Sequence, residues 1–199
     1  MEVEPEMKTQ RLAAMLAMAA MAAASLCAGQ SAVTQKATVM VCMESDPHAL
    51  EGVRPLTAAM FARIGVRIAW YLLDACPVGV DAIQVRLSRG STSFRNASSK
   101  ALAATQPYAR TVTVFLDRVK EANRNRGISV MAVVLAHEIT HVLEGTTRHS
   151  STGIMKALWD DHDTFEIGLQ TLAFAQEDID LIYAGLKIPR ATEAAVASH

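Results

Sequence analysis

The chain has 199 residues, with 19 basic and 20 acidic side chains and a formal net charge of -1. Hydrophobic residues make up 51% and charged residues 20% of the chain, which indicates a globular rather than a disordered protein. Nucleic-acid binding needs a net basic face, and this near-neutral chain without long basic runs predicts no nucleic-acid partner.

The N-terminal segment has the pattern of an export signal. Lys8 and Arg11 precede an apolar run of 17 residues, 12–28, which small and polar residues follow. This pattern predicts a cleaved signal peptide over residues 1–29 and a periplasmic or extracellular mature domain over 30–199. A retained anchor is the alternative, but an alanine-rich run of this length is at the lower edge for spanning. We therefore predict no stable membrane association after cleavage.

About 170 residues remain after cleavage, which is enough for one domain with a well-formed core. Two cysteines remain as well, Cys42 and Cys76. In an oxidising compartment such a pair can form a disulfide. Two buried thiols are the equally weighted alternative, because the sequence does not give the distance between the two Cα atoms.

The first part of the mature chain predicts strands around one helix. Residues 37–43 form a continuous apolar run, as in a strand that is covered on both faces. Pro55 and the helical spacing of apolar residues predict a helix over 54–64. Alternating patterns predict strands over 66–70 and 83–87. A strand, a helix and a strand with short links predict a parallel crossover.

The middle of the chain is less regular. Segment 88–100 is polar and rich in Gly and Ser, which predicts a surface loop. Residues 101–105 predict either a short edge strand or a plain loop, whereas residues 112–116 predict a strand. A polar helix or turn follows over 117–125, and Ser129 is the predicted N-cap of the next helix.

The helix after Ser129 carries the sequence H-E-I-T-H, in which His137 and His141 are four residues apart. Residues at this spacing share one helix face, so both imidazoles can hold one metal ion. Glu138 is rotated by about 100° from His137, which places it where it can accept a proton from a metal-bound water. The helix is otherwise very apolar, and unpaired polar groups would be costly in a core without a metal.

A third imidazole follows the end of this helix. Gly145 lies just past the last apolar position, where a left-handed residue commonly ends a helix, and His149 comes four residues later. Three protein ligands with an open position for water are the catalytic arrangement of zinc, whereas a structural site is closed by four. The sequence therefore predicts Zn2+ as the cofactor, held by His137, His141 and His149.

Alternatives to His149 lie further along the chain. His162 belongs to the acidic run 160–163, but a charged run is usually a solvated surface, so we favour His149. A carboxylate from this run or from Glu166 is a further alternative ligand. Asp160 or Asp161 is a candidate to orient a ligand histidine, with a surface role as the alternative.

The stretch from His137 to Met155 resembles the metzincin zinc metallopeptidases, whose pattern is H-E-x-x-H-x-x-G-x-x-H followed by a methionine-containing turn. The chain has the variant H-E-x-x-H-x-x-x-G-x-x-x-H-S-x-x-G-I-M, with one additional residue on each side of Gly145. Similar endings occur in secreted bacterial proteins, which this chain also resembles. The resemblance is specific over roughly 20 residues.

The resemblance implies an α/β (α+β) fold with a twisted, mostly parallel sheet, an antiparallel edge strand, an active-site helix and a C-terminal helix. The edge strand corresponds to residues 101–105 and would pair with an extended substrate, while the last helix is predicted over 175–186. The implied roles are metal ligand for His137, His141 and His149, general base for Glu138, and apolar floor of the site for Met155.

These features together predict a secreted zinc-dependent peptidase, a hydrolase that cleaves peptide bonds in a peptide or protein substrate. A non-catalytic zinc-binding or interaction module on the same scaffold is the alternative. A decayed enzyme would be expected to lose its base first, and Glu138 is present. The sequence does not predict an oligomeric state.

Overall fold

The computed structural model describes residues 34–44, 52–78, 81–89, 101–122 and 127–188. The predicted signal segment 1–29 and most of the predicted loop 88–100 lie outside the described residues. The described residues from Gln35 onward belong to one compact unit.

The described strands are β1 (Ala37–Met43), β2 (Val66–Leu72), β3 (Ile83–Ser88), β4 (Ala103–Gln106) and β5 (Thr111–Phe115). The described helices are α1 (Val53–Ala62), α2 (Leu116–Ala122), α3 (Gly127–Glu144), α4 (Asp161–Leu169) and α5 (Gln176–Gly185), with a 3-10 turn at Leu73–Ala75.

The five described strands form one sheet in the order β2, β1, β3, β5, β4. All neighbouring strands are parallel except β4, which runs antiparallel to β5 at the edge of the sheet. Val41 and Cys42 of β1 are fully buried, as a strand in the middle of a covered sheet requires. The mostly parallel sheet with an antiparallel edge strand is therefore confirmed, and so is the parallel pairing of β1 with β2.

Helix α3 runs through the core. It packs against the other four described helices, α1, α2, α4 and α5, and against strands β4 and β5. Every residue from Val130 to Leu143 is buried with the exception of Glu138. By length and composition α3 could cross a membrane, but 78% of it is buried inside the fold, as in the core helix of a soluble protein. Within this span Glu138 is thus the one residue that is only partly buried.

One prediction of local structure is wrong. Ser129 is not the N-cap of α3, because the helix already includes Gly127 and Ser129 lies within its first turn. Three residues of the acidic run, 160–162, are exposed as predicted, but the run also begins α4, which the sequence pattern does not predict. The side chain of Asp160 accepts hydrogen bonds from the amides of His162 and Asp163, and the side chain of Asp163 accepts one from the amide of Asp160, which completes a capping box.

Cys42 and Cys76 form a disulfide, with their Cα atoms 5.6 Å apart. The bond joins β1 to the segment that follows the 3-10 turn and closes a loop with a sequence separation of 34. A loop of this length restricts the unfolded chain and stabilises the fold by about 3 to 4 kcal/mol. The alternative of two buried thiols is therefore not the one that the structure adopts.

Candidate metal centre

Helix α3 brings two imidazoles to one point. His137 and His141 are one turn apart and buried, and their Nε2 atoms lie 3.1 Å apart. Two nitrogens bound to one tetrahedral zinc at about 2.0 to 2.1 Å lie about 3.3 Å from each other. The observed separation of the two Nε2 atoms therefore suits a shared metal ion.

The chain turns back at the end of α3 and delivers the third imidazole. Gly145 adopts a left-handed φ of 66°, and the amide of Thr146 donates to the carbonyl of His141 at 3.2 Å, as in a Schellman motif. The ring centroid of His149 lies 5.2 Å from that of His137 and 5.1 Å from that of His141. The ligand atoms of these three residues all lie within 4.8 Å of one another, and the group can hold a metal ion.

Desolvation lowers the pKa of all three imidazoles and so favours their neutral form. It lowers the pKa of His137 and of His149. The pKa of His141 falls to about 3, first because of burial and then because His137 and His149 lie close. A neutral imidazole has a free lone pair for a cation, so this set of donors fits a metal ion.

A backbone carbonyl orients His137. Its Nδ1 lies 2.8 Å from the carbonyl oxygen of Ile154, and because a carbonyl can only accept, Nδ1 carries the proton and Nε2 is left free as a ligand. The sequence suggests Asp160 or Asp161 for this task. The carboxylate of Asp160 instead bonds the start of α4 and Lys156, and Asp161 is exposed.

The turn that contains Ile154 is held tightly in place. Gly153 has a φ of 73°, and a Cβ at this position would collide with the carbonyl oxygen of Ala173. The amide of Ser150 donates to the carbonyl of Met155 at 2.9 Å, which ties the turn to the segment that carries His149. Met155 is fully buried in the core. Its place as the floor of the site stays a prediction.

Glu138 follows His137 on α3, interacts electrostatically with His149 and accepts a hydrogen bond from the hydroxyl of Thr105 on the edge strand β4. Burial raises the pKa of Glu138, whereas the bond from Thr105 and the nearby His149 lower it. A partly buried carboxylate with a raised pKa is suited to accept a proton near neutral pH. The sequence pattern gives Thr105 no role in the site, although the predicted edge strand ends at this residue.

The alternative ligands lie elsewhere. His162 is exposed on α4, with its Nε2 4.0 Å from a carboxylate oxygen of Glu166. Asp163 accepts a hydrogen bond from Lys156. Among the described residues, the group that can hold a metal ion consists of His137, His141 and His149 and includes none of these alternatives.

The fold and the site thus define a mixed α/β protein with a three-histidine centre that can hold a metal ion. No protein-family model matches the chain, and a search of the curated proteins finds no match. The function is therefore inferred from the residues of the site.

Proposed function

We propose that this protein is an exported zinc-dependent peptidase of the metzincin type. The observation that carries the proposal is a group of three imidazoles that can hold a metal ion, on a helix whose Glu138 is hydrogen-bonded to an antiparallel edge strand. A three-ligand set leaves a position for water, as a catalytic zinc site requires. The exposure of His149 keeps this set accessible from solvent.

In this proposal His137, His141 and His149 hold the metal. When bound, zinc would lower the pKa of a water molecule into the neutral range and would polarise the scissile carbonyl. Glu138 accepts a proton from the attacking water and later donates it to the leaving amine. Thr105 orients the carboxylate of Glu138 through its hydroxyl. The Ile154 carbonyl keeps His137 in the tautomer that presents Nε2.

The edge strand supports peptides as the substrate class. Among the described strands, β4 pairs with β5 alone, so its other edge is the position at which we propose that an extended peptide pairs. Thr105 links this strand directly to Glu138. A peptide added to β4 would therefore run past the proposed base.

Metal removal tests the proposal. We expect the purified mature chain, residues 30–199, to contain about one zinc per molecule and to cleave members of a peptide library. A chelator should abolish cleavage, and added zinc should restore it. A chain without bound metal after mild dialysis would contradict the proposal, and a zinc-loaded chain without hydrolysis would favour the non-catalytic zinc module.

A change at Thr105 tests the orientation of the base. Thr105→Val keeps the shape of the side chain but removes the hydroxyl, so we expect kcat to fall by about 10- to 100-fold with an unchanged zinc content. Thr105→Ser keeps the donor and should remain within about threefold of wild type. Equal kcat values for the valine and serine variants would show that the hydrogen bond to Glu138 is not needed.

A further inference from the structure

The loop that carries His149 is tied to α5 by a single buried carboxylate. Arg148 and Ser150, the two neighbours of His149, both donate to Oδ1 of Asp178. The distance from Arg148 Nη2 is 2.7 Å. Arg148 also donates to the hydroxyl of Ser150 at 3.1 Å, which closes a ring of three side chains around the base of the loop. The ring therefore fixes the backbone on both sides of His149.

Asp178 is itself held firmly. Its side chain is fully buried, and it lies in the first turn of α5, where the helix dipole favours a carboxylate. Helix α5 packs against α3, the helix that carries His137 and His141. Asp178 thus connects the loop that carries His149 to α5, which packs against the helix that carries His137 and His141.

Burying charged side chains around Arg148 costs free energy, and a segment that only closes a turn does not need them. Glu144 at the end of α3 is also without side-chain exposure, 4.0 Å from Arg148, and burial raises its pKa to about 7. Buried ionic groups are weak evidence for stability, but they can select one arrangement over others. Here the selected arrangement is that of the loop between Gly145 and Ser150.

We propose that Asp178 is a positioning residue that sets His149 at the metal centre by holding Arg148 and Ser150. The inference rests on the proposed metal site and deepens it. The spacing on α3 alone places His137 and His141, whereas His149 lies on a loop and needs a separate support. Asp178 provides that support through two hydrogen bonds to the residues adjoining the ligand.

Zinc affinity measured by competition with a chromogenic chelator tests this inference on the full mature chain. Asp178→Asn keeps the size of the side chain but removes its charge, and we expect zinc binding to weaken by about 10- to 100-fold, as for other partners that orient a ligand. Glu177→Gln is the matched control. Glu177 neighbours Asp178 and contacts the same Arg148 at 3.3 Å, but its side chain is 57% exposed. The zinc affinity of the Glu177→Gln variant should therefore stay within about twofold of wild type.

Ser150→Ala gives a second, milder test that does not depend on the folding of the Asp178 variant. It removes one donor to Asp178, and we expect a weaker but measurable loss of zinc affinity, about 5- to 10-fold. The visible spectrum of the cobalt-substituted protein provides a further readout, because it reports the coordination number and geometry of the metal. Both variants should change that spectrum in the direction of the His149→Ala protein.

The outcomes separate this inference from the proposed function. Wild-type zinc affinity and a wild-type cobalt spectrum in folded Asp178→Asn and Ser150→Ala, with only a lower unfolding temperature, would overturn the positioning role and leave the peptidase proposal intact. Wild-type zinc affinity in His149→Ala would instead show that His149 is not a ligand, and both proposals would fail.

Discussion

Glu138→Ala is expected to bind zinc as the wild type does and to lose about 100- to 10,000-fold in kcat/KM on a peptide substrate. The carboxylate does not belong to the group of three imidazoles that can hold a metal ion, so its removal leaves that group complete. The attacking water then lacks its proton acceptor. Zinc content and peptide cleavage, measured on the same preparation, check the two parts of this expectation.

A matched glutamate provides the control for this variant. Glu166 lies on α4, where a carboxylate oxygen is 4.0 Å from Nε2 of the exposed His162. Glu166→Ala should therefore leave both zinc content and kcat/KM within about twofold of wild type. Comparable activity of Glu138→Ala and wild type would remove Glu138 from the mechanism, and loss of zinc from Glu138→Ala would make the carboxylate part of the metal site.

The elements that could be predicted are those whose pattern is decided locally. Strand β1 is observed at Ala37–Met43, as predicted from its continuous apolar run, because a strand covered on both faces has no polar side. The helix predicted over 54–64 is observed at Val53–Ala62. The spacing of apolar residues was sufficient in both cases.

Other elements depend on partners that are distant in the sequence. Strand β4 is alanine-rich and has little strand propensity of its own, and it forms where β5 offers an antiparallel partner. Helix α4 was missed because its first residues, with Asp160 and Asp163, resemble a solvated charged surface. The reciprocal cap between these two residues is the local signal that could have revealed the helix.

The same distinction applies to the site. His137, Glu138 and His141 follow from helical spacing alone, and Gly145 indicates the turn that brings His149 back. Their supports come from other segments, namely a hydroxyl of β4, a carbonyl of the turn before Met155 and a carboxylate of α5. A backbone carbonyl leaves no signal in the sequence, and a single Thr or Asp in a distant element gains its role only from the fold.

His149→Ala is expected to weaken zinc binding by more than about 100-fold and to abolish hydrolysis. This loss of zinc affinity exceeds the one expected when a residue that only orients a ligand is removed. His162→Ala is the matched control and should leave both properties within about twofold of wild type. The side chain of His162 is exposed on α4 near Glu166, whereas the ring of His149 lies 5.1 to 5.2 Å from the other two imidazoles. Chelator competition and peptide cleavage, measured on both variants, distinguish the two histidines.

The physical reason for the large effect is the number of ligands that remain. Without His149, α3 presents two imidazoles whose Nε2 atoms are 3.1 Å apart, and a zinc ion held by two protein ligands is open to water and to chelators on its other sides. In the proposed site the turn at Gly145 brings His149 as a third ligand from outside the helix and would close one of those sides. If His162→Ala lost the zinc and His149→Ala kept it, the turn at Gly145 would not supply a ligand, and the metzincin-like assignment would have to be replaced by a site that draws its third ligand from α4.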